Sequence, residues 1–309
     1  MPKDSARMAH LRVRSSTHTT DRKSTTPLAE DLVPYYIEPG ITLYQGDCLQ
    51  VLAGLEAASV DLIFADPPYN LSNGGFTCHA GRMVPVHKGD WDKSAGLETD
   101  LAFIELWLQA CQRVLKPSGT IWVSGTQHVI FNVGYAMQKL GYHILNTITW
   151  FKPNASPNLS CRYFTHSNEL LIWASPARAA SLKHKFNYQE MRRRAGNRQM
   201  RDVWEFSPNG EEKLKLLEIG PPKPEEKVFG KHPTQKPLEL LNRIISASSD
   251  PGDVMLDPFN GSGTTGIMAK ALGRVYIGIE YEKKYLDLAI KRLRNASATQ
   301  LSLLGSLDR

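Results

Sequence analysis

The tetrapeptide Asp66-Pro67-Pro68-Tyr69 directly follows the apolar run Val60-Asp61-Leu62-Ile63-Phe64-Ala65, and its residue types suit the activation of an amino nitrogen. An exocyclic amine on adenine or cytosine shares its lone pair with the ring, so it is planar and a poor nucleophile. A carboxylate such as Asp66 and a backbone carbonyl can accept its two N–H hydrogens together and localise that pair. Proline suits the carbonyl position, because its φ is fixed and it has no N–H to donate; Pro67 is the expected acceptor, with Pro68 stiffening the same turn. Tyr69 offers a face on which a base can stack, a contact worth about 1–3 kcal/mol. Stacking needs the ring and not the hydroxyl, so Tyr69→Phe is expected to cost less than Tyr69→Ala. As four letters alone, the segment reads equally well as a Pro-rich turn with a satisfied Asp.

A second constellation lies far downstream. Val254-Met255-Leu256-Asp257-Pro258-Phe259-Asn260-Gly261-Ser262-Gly263-Thr264-Thr265-Gly266 reads as a strand, a glycine turn and the start of a helix. Glycines permit the tight turn and let the backbone approach a ligand closely. Glu280 closes the next apolar strand, Val275 to Ile279, and lies 23 residues after Asp257, a spacing at which a carboxylate commonly binds ribose hydroxyls. The same glycines satisfy a dinucleotide fingerprint, so an NAD-dependent oxidoreductase fits this segment by itself. A P-loop does not, since no Gly-Lys-Ser/Thr follows.

Taken together, the two segments resemble the paired signatures of S-adenosylmethionine-dependent DNA amino-methyltransferases. The catalytic motif precedes the cofactor motif, which is the circularly permuted order of the β class. Gly230-Lys231-His232-Pro233-Thr234-Gln235-Lys236-Pro237 resembles the segment that helps hold the methionine end of the cofactor in that class. There a lysine with hydroxyl and amide neighbours suits a carboxylate. Tyr44-Gln45-Gly46-Asp47-Cys48-Leu49 matches the family's adenine-ring contacts at Asp47 and Cys48, although a helix N-cap explains Asp47 as simply. The resemblance thus implies cofactor contacts at Asp47, Cys48, His232, Pro233, Thr234, Gln235, Lys236, Asp257, Phe259, Gly261, Ser262, Gly263, Thr264 and Glu280. It implies S-adenosylmethionine as cofactor, DNA as substrate and no metal. It spans about residues 40–295. Asn70 to Gly75, Lys88 to Lys93 and Asn158 to Ser167 look most like the Dpn-type adenine methylases that act on GATC. That likeness also implies a restriction-modification setting, with a cognate endonuclease encoded separately, and a tendency to form homodimers.

These groups must be held by alternating strands and helices. Strands are expected at Ile41 to Tyr44, Val60 to Ala65, Thr120 to Ser124, Ile144 to Phe151 and Glu169 to Ala174, with helices at Leu101 to Leu115 and Val129 to Leu140. The alternation predicts an α/β fold, a mostly parallel sheet with helices on both faces, and the resemblance makes it a Rossmann-like methyltransferase sheet. Asn70 to Lys93 is polar and glycine-rich and reads as a long loop closing over the site. Residues 30–296 are expected to form the catalytic domain, with a target-recognition insertion at about 178–229 and a tail at 297–309.

The formal charge of +6 is unevenly placed. Residues 1–29 carry Lys3, Arg7, Arg12, Arg14, Arg22 and Lys23 against Asp4 and Asp21, and are Ser/Thr-rich, which predicts a disordered basic arm. A denser cluster, Lys183, Lys185, Arg192, Arg193, Arg194, Arg198 and Arg201, faces only Glu190 and is interleaved with Phe186, Tyr188 and Trp204. Charge with aromatics suits a phosphate backbone and an unstacked base, although charge runs are often solvated helix faces. The four cysteines, Cys48, Cys78, Cys111 and Cys161, have no metal-ligand spacing, which points to reduced thiols in a cytoplasm. No apolar stretch approaches the roughly 18–20 residues of a membrane span.

The resemblance implies adenine-N6 methylation of DNA as the expected activity. Cytosine-N4 methylation is the nearest rival, since both amines pose one chemical problem. RNA or protein-amide methylation, an NAD enzyme and a non-catalytic DNA-binding protein fit the residues less well.

Overall fold

The computed structural model describes residues 32–72, 76–79, 82–85, 89, 92–152, 155, 157–177, 183–204, 222, 229–230, 232 and 234–296. The basic arm at 1–29, the tail at 297–309, Pro233 and much of 178–229 lie outside the described residues.

In chain order the elements begin with β1 (Tyr36–Glu38), β2 (Ile41–Gln45), α1 (Cys48–Gly54) and β3 (Val60–Ala65). A short hairpin, β4 (Phe76–His79) and β5 (Arg82–Pro85), precedes α2 (Leu97–Val114), β6 (Leu115–Gly125), α3 (Ile130–Lys139) and β7 (His143–Phe151). Then come β8 (Asn168–Ser175), α4 (Tyr188–Arg194), β9 (Val203–Trp204) and α5 (Leu238–Ser248). The chain closes with β10 (Val254–Asp257), α6 (Thr264–Ala271), β11 (Val275–Glu280) and α7 (Lys283–Asn295). The hairpin corrects the expectation of a structureless loop between Asn70 and Lys93: Phe76-Thr77-Cys78 and Met83-Val84 are rich enough in strand formers to pair.

Nine strands form one sheet in the order β1-β2-β11-β10-β3-β6-β8-β7-β9. From β2 to β6 the neighbours are parallel, whereas β8 runs antiparallel to β6 and β7. The central strands read as largely apolar runs because both faces are covered. Along β3, Ile63 and Ala65 face α1, α2 and α3 and join Trp107, Leu108 and Val133. Leu62 and Phe64 face the other side and join Leu241 and Ile245 of α5 and Leu286 of α7. Strand periodicity of two thus divides one run between two cores.

At the far edge, Trp122, Trp173 and Trp204 make a ladder across β6, β8 and β9. The first two stack at 5.0 Å and Trp204 lies 6.0 Å from Trp122. These cross-strand contacts pin the short β9 to the sheet.

Candidate active site

Strands β3 and β10 are parallel neighbours, with Met255 opposite Leu62 and Leu256 opposite Ile63. Their C-terminal ends therefore open side by side. From there the chain departs toward β6 on one side and β11 on the other, and such a reversal leaves a crevice. A cavity of about 440 Å³ fills it, walled by Asp66, Pro67 and Pro68 from the first signature and Asp257, Phe259 and Gly261 from the second. Two signatures far apart along the chain become one site through a single strand pairing.

The Asp66 carboxylate sits at the centre of a buried polar cluster. Lys236 Nζ donates to Oδ1 and Oδ2 at 2.7 and 2.6 Å, the Tyr69 hydroxyl to Oδ1 at 2.6 Å, and the Ser124 hydroxyl to Oδ1 at 2.5 Å. Glu169, at the start of β8, lies 3.7 Å from Lys236 Nζ and 3.4 Å from the Tyr69 hydroxyl, and takes a further hydrogen bond from Lys152. Burial alone would lower the Lys236 ammonium, but the Asp66 and Glu169 carboxylates outweigh it and raise the pKa. Burial likewise opposes ionisation of Glu169, yet Lys236 and Lys152 together hold it below its ordinary value. The cluster is a neutral set of two lysines and two carboxylates.

Two expectations change here. Tyr69 is 4% exposed and does not line the cavity; its hydroxyl holds Asp66, and Lys236 lies 5.0 Å above its ring. Burial, followed by the charges of Asp66 and Glu169, pushes its phenol well above the ordinary range, so it remains a donor. Lys236, expected at the methionine carboxylate, is engaged by Asp66. The turn itself is shaped by Asp92, 1% exposed, which accepts from Tyr69 N–H at 2.9 Å, Leu71 N–H at 3.1 Å and Ser72 Oγ at 2.9 Å.

The opposite wall is built from the glycine turn. Glu280 Oε2 accepts Gly261 N–H at 2.8 Å and Oε1 accepts Glu282 N–H at 2.9 Å. A Cβ on Gly261 would lie 3.3 Å from the His232 ring. Gly263, at φ +75°, caps α6, and a Cβ there would lie 2.7 Å from Ala289. Its role is to let α6 approach α7, and it does not line the cavity. Ser262 and Thr264 turn their hydroxyls to Arg292, at 2.9 and 3.0 Å, a buried cation from α7 that clamps the turn. Asp47 N-caps α1 through Leu49 N–H at 2.8 Å, while it and Cys48 line the cavity. His232, Thr234 and Gln235 also line the cavity.

Asp257 accepts from Phe259 N–H at 2.9 Å and, among the described residues, forms no ion pair. Burial raises its pKa to about 7, against hydrogen bonds from Thr265 and Phe259, and burial raises Glu280 too. A buried and a half-buried carboxylate at the cavity wall, both disfavoured as anions by burial, fit a ligand that carries positive charge. The shift also has a stability consequence. Folding retains a proton on Asp257 that the unfolded chain releases, so this contribution is present below about 3.8 and is lost as pH rises through about 7. Asp257→Asn should therefore gain in melting temperature over the parent as pH rises across that window and hold the gain above it; a pH-independent difference would contradict the assignment.

The basic segment divides in two. Lys185 pairs with Asp250 at 2.9 Å and Asp253 at 2.6 Å, at the foot of β10 and away from the cavity. Arg193 and Arg194 pair with Glu190, and Arg194 also reaches Asn242 and Ser246 on α5. Lys183, Arg192, Arg198 and Arg201 are exposed, and Arg201 precedes β9, which pairs with the site end of β7. The expected DNA contact at Arg198 and Arg201 predicts that replacing both by Ala reduces the salt dependence of DNA binding by a log–log slope of about 0.9 for each phosphate no longer neutralised. Arg194→Ala should instead cost about 1–3 kcal/mol of stability, because buried acceptors are deprived of their donor. Denaturant melts and salt-titrated binding separate the two outcomes.

A Rossmann-like α/β sheet with permuted motif order, an acid–proline turn and a facing glycine turn defines a methyltransferase acting on amino groups. Residues 60–291 match the DNA methylase family N6_N4_Mtase, and the chain belongs to that family. It is 47% identical over 266 residues to Type II methyltransferase M2.DpnII of Streptococcus pneumoniae, covering 86% of this chain and 94% of the relative. It is 44% identical over 261 residues to Type II methyltransferase M2.MboI of Moraxella bovis, covering 84% and 90%. Among solved structures it is similar to the M1.HpyAVI–SAM complex, with a TM-score of 0.53 at 28% identity, over 82% of this chain and 100% of that one. Among the described residues, no helix is long and apolar enough to cross a membrane.

Proposed function

We propose that this chain methylates N6 of adenine in DNA, using S-adenosylmethionine, at GATC sites and as the modification partner of a separately encoded endonuclease. The observation that carries the reading is the Asp66 carboxylate, fixed by Tyr69, Ser124 and Lys236, opening on the cavity that the glycine turn closes. The Dpn and Mbo relatives, named as Type II methyltransferases, favour a restriction-modification role in the cytoplasm.

When bound, the cofactor supplies a methyl group on a positively charged sulfur. Asp257, once its proton is released, and Glu280 provide compensating negative charge, with Asp47, Cys48, His232, Thr234, Gln235, Phe259 and Gly261 lining the cavity and Pro233 assigned to it by the sequence resemblance. Gly263, Ser262 and Thr264 keep the turn in shape. Asp66 accepts one N–H of the target amine and the Pro67 carbonyl the other, which returns lone-pair density to nitrogen. Because Lys236 contacts both oxygens of Asp66, the amine competes with it for Oδ2. Glu169 stands ready to keep the displaced ammonium paired.

DNA contacts are assigned to Lys183, Arg192, Arg198 and Arg201 within the recognition region at 178–229. A homodimer is also part of this reading, supported by Phe131 and Tyr135, 69% and 57% exposed one turn apart on α3; sedimentation across a concentration series decides it. Mapping modified bases in DNA from a methylation-deficient host expressing the chain tests the function. Methyl groups on adenine in GATC are expected; methylation confined to cytosine N4, or to another site, overturns the base or the target.

A further inference from the structure

Among the described residues, the most exposed large apolar side chain is Phe164, at 96%, with Tyr163 beside it at 61%. Both sit in the loop between β7 and β8, and this loop is tied from within. Asn158 Nδ2 donates to Tyr163 O at 2.6 Å, Asn158 Oδ1 accepts from Ser160 N–H at 3.0 Å, and the Tyr163 ring lies 5.4 Å from that of His166. It is also tied to the rim of the site. His166 hydrogen-bonds Gln127 at 3.1 Å, just beyond Ser124, and Ser167 O accepts Lys152 N–H at 2.6 Å, beside Glu169. A loop braced beside the Lys152–Glu169 pair of the Asp66 cluster thus presents a bare aromatic pair to solvent, with Arg162 exposed next to it.

The Asp66 side chain is only 13% exposed, so a base inside a duplex cannot reach it and must swing out of the stack. That leaves a gap in the helix. Apolar side chains that enter such gaps are rings and branched aliphatics, and an aromatic ring can stack on whichever base remains. We propose that Phe164, flanked by Tyr163, is the wedge that enters duplex DNA and fills the space left by the target base, with Arg162 placed for the adjoining phosphate. This rests on the DNA-methylating function proposed above.

The test compares parent, Phe164→Ala and Phe164→Trp on three substrates: the duplex site, the same duplex with an abasic position opposite the target, and the single strand. On the intact duplex Phe164→Ala should lose roughly ten- to hundredfold in kcat/KM, with Phe164→Trp close to parent. On the single strand and the abasic duplex, where no paired base need be displaced, Phe164→Ala should match the parent within about twofold. Equal activity of Phe164→Ala and parent on the intact duplex overturns the wedge, as does an equal loss on all three substrates. A parent that methylates none of them, and gives no fluorescence rise with 2-aminopurine at the target, removes the functional reading and the wedge with it.

Discussion

Asp66→Ala is expected to lower the single-turnover methylation rate by about three orders of magnitude while S-adenosylmethionine affinity stays within a few-fold. Removing one preorganised hydrogen bond that strengthens at the transition state typically costs about 10²–10³ in rate. Here the loss also leaves Lys236, 7% exposed, without its nearest carboxylate. Asp66→Asn should fall nearly as far, because it loses the negative charge and replaces one of the two acceptor oxygens with a donor, where an ammonium and an amine both need acceptors. Tyr69→Phe should lose about tenfold, since the hydroxyl at 2.6 Å orients Asp66 and a single neutral-to-charged hydrogen bond is worth about 1.5–3 kcal/mol. Rapid-quench rates paired with calorimetric cofactor titration measure both halves. Near-parental turnover in Asp66→Ala would falsify the mechanism.

The parts that were legible in the sequence are those where a local pattern coincides with a structural duty. Val60 to Ala65 is a strand with the expected bounds because a buried parallel strand needs a near-continuous apolar run, interrupted here by Asp61, which pairs with Lys116. The glycine turn announces itself because only glycine takes the positive φ seen at Gly261 and Gly263 so readily. Other site residues carry no motif. Ser124 and Glu169 are single polar residues at the site ends of apolar strands, and that interruption was the one available signal. Arg292 lies on a helix rich in charge, where nothing local distinguishes a buried cation from a solvated one. Lys236 matched its motif, but the identity of its partner depends on a contact 170 residues away in sequence. The basic segment shows the converse. Its composition suggested one DNA-facing surface, while pairing with Glu190, Asp250 and Asp253 commits part of it to the fold.

Lys236→Met is expected to cost about 3–5 kcal/mol of stability in the cofactor-free protein, the range for breaking a buried pair by removing one partner. The deleted charge leaves Asp66 and Glu169, 13% and 12% exposed, with only Lys152 to balance them. Methionine fills the space of the aliphatic stem, so the loss is one of charge more than of packing. If that is its source, Glu169→Gln should be costly alone but mild on the Lys236→Met background, since it then removes a surplus negative charge. A coupling of about 0.5–3 kcal/mol is expected for groups sharing one network. The same cycle separates two roles for this lysine. A Lys236 kept for the cofactor's carboxylate would leave unfolding unchanged on substitution and weaken S-adenosylmethionine binding instead. A Lys236 that belongs to the Asp66 carboxylate shows its effect before any ligand is added, in denaturant melts of the protein alone.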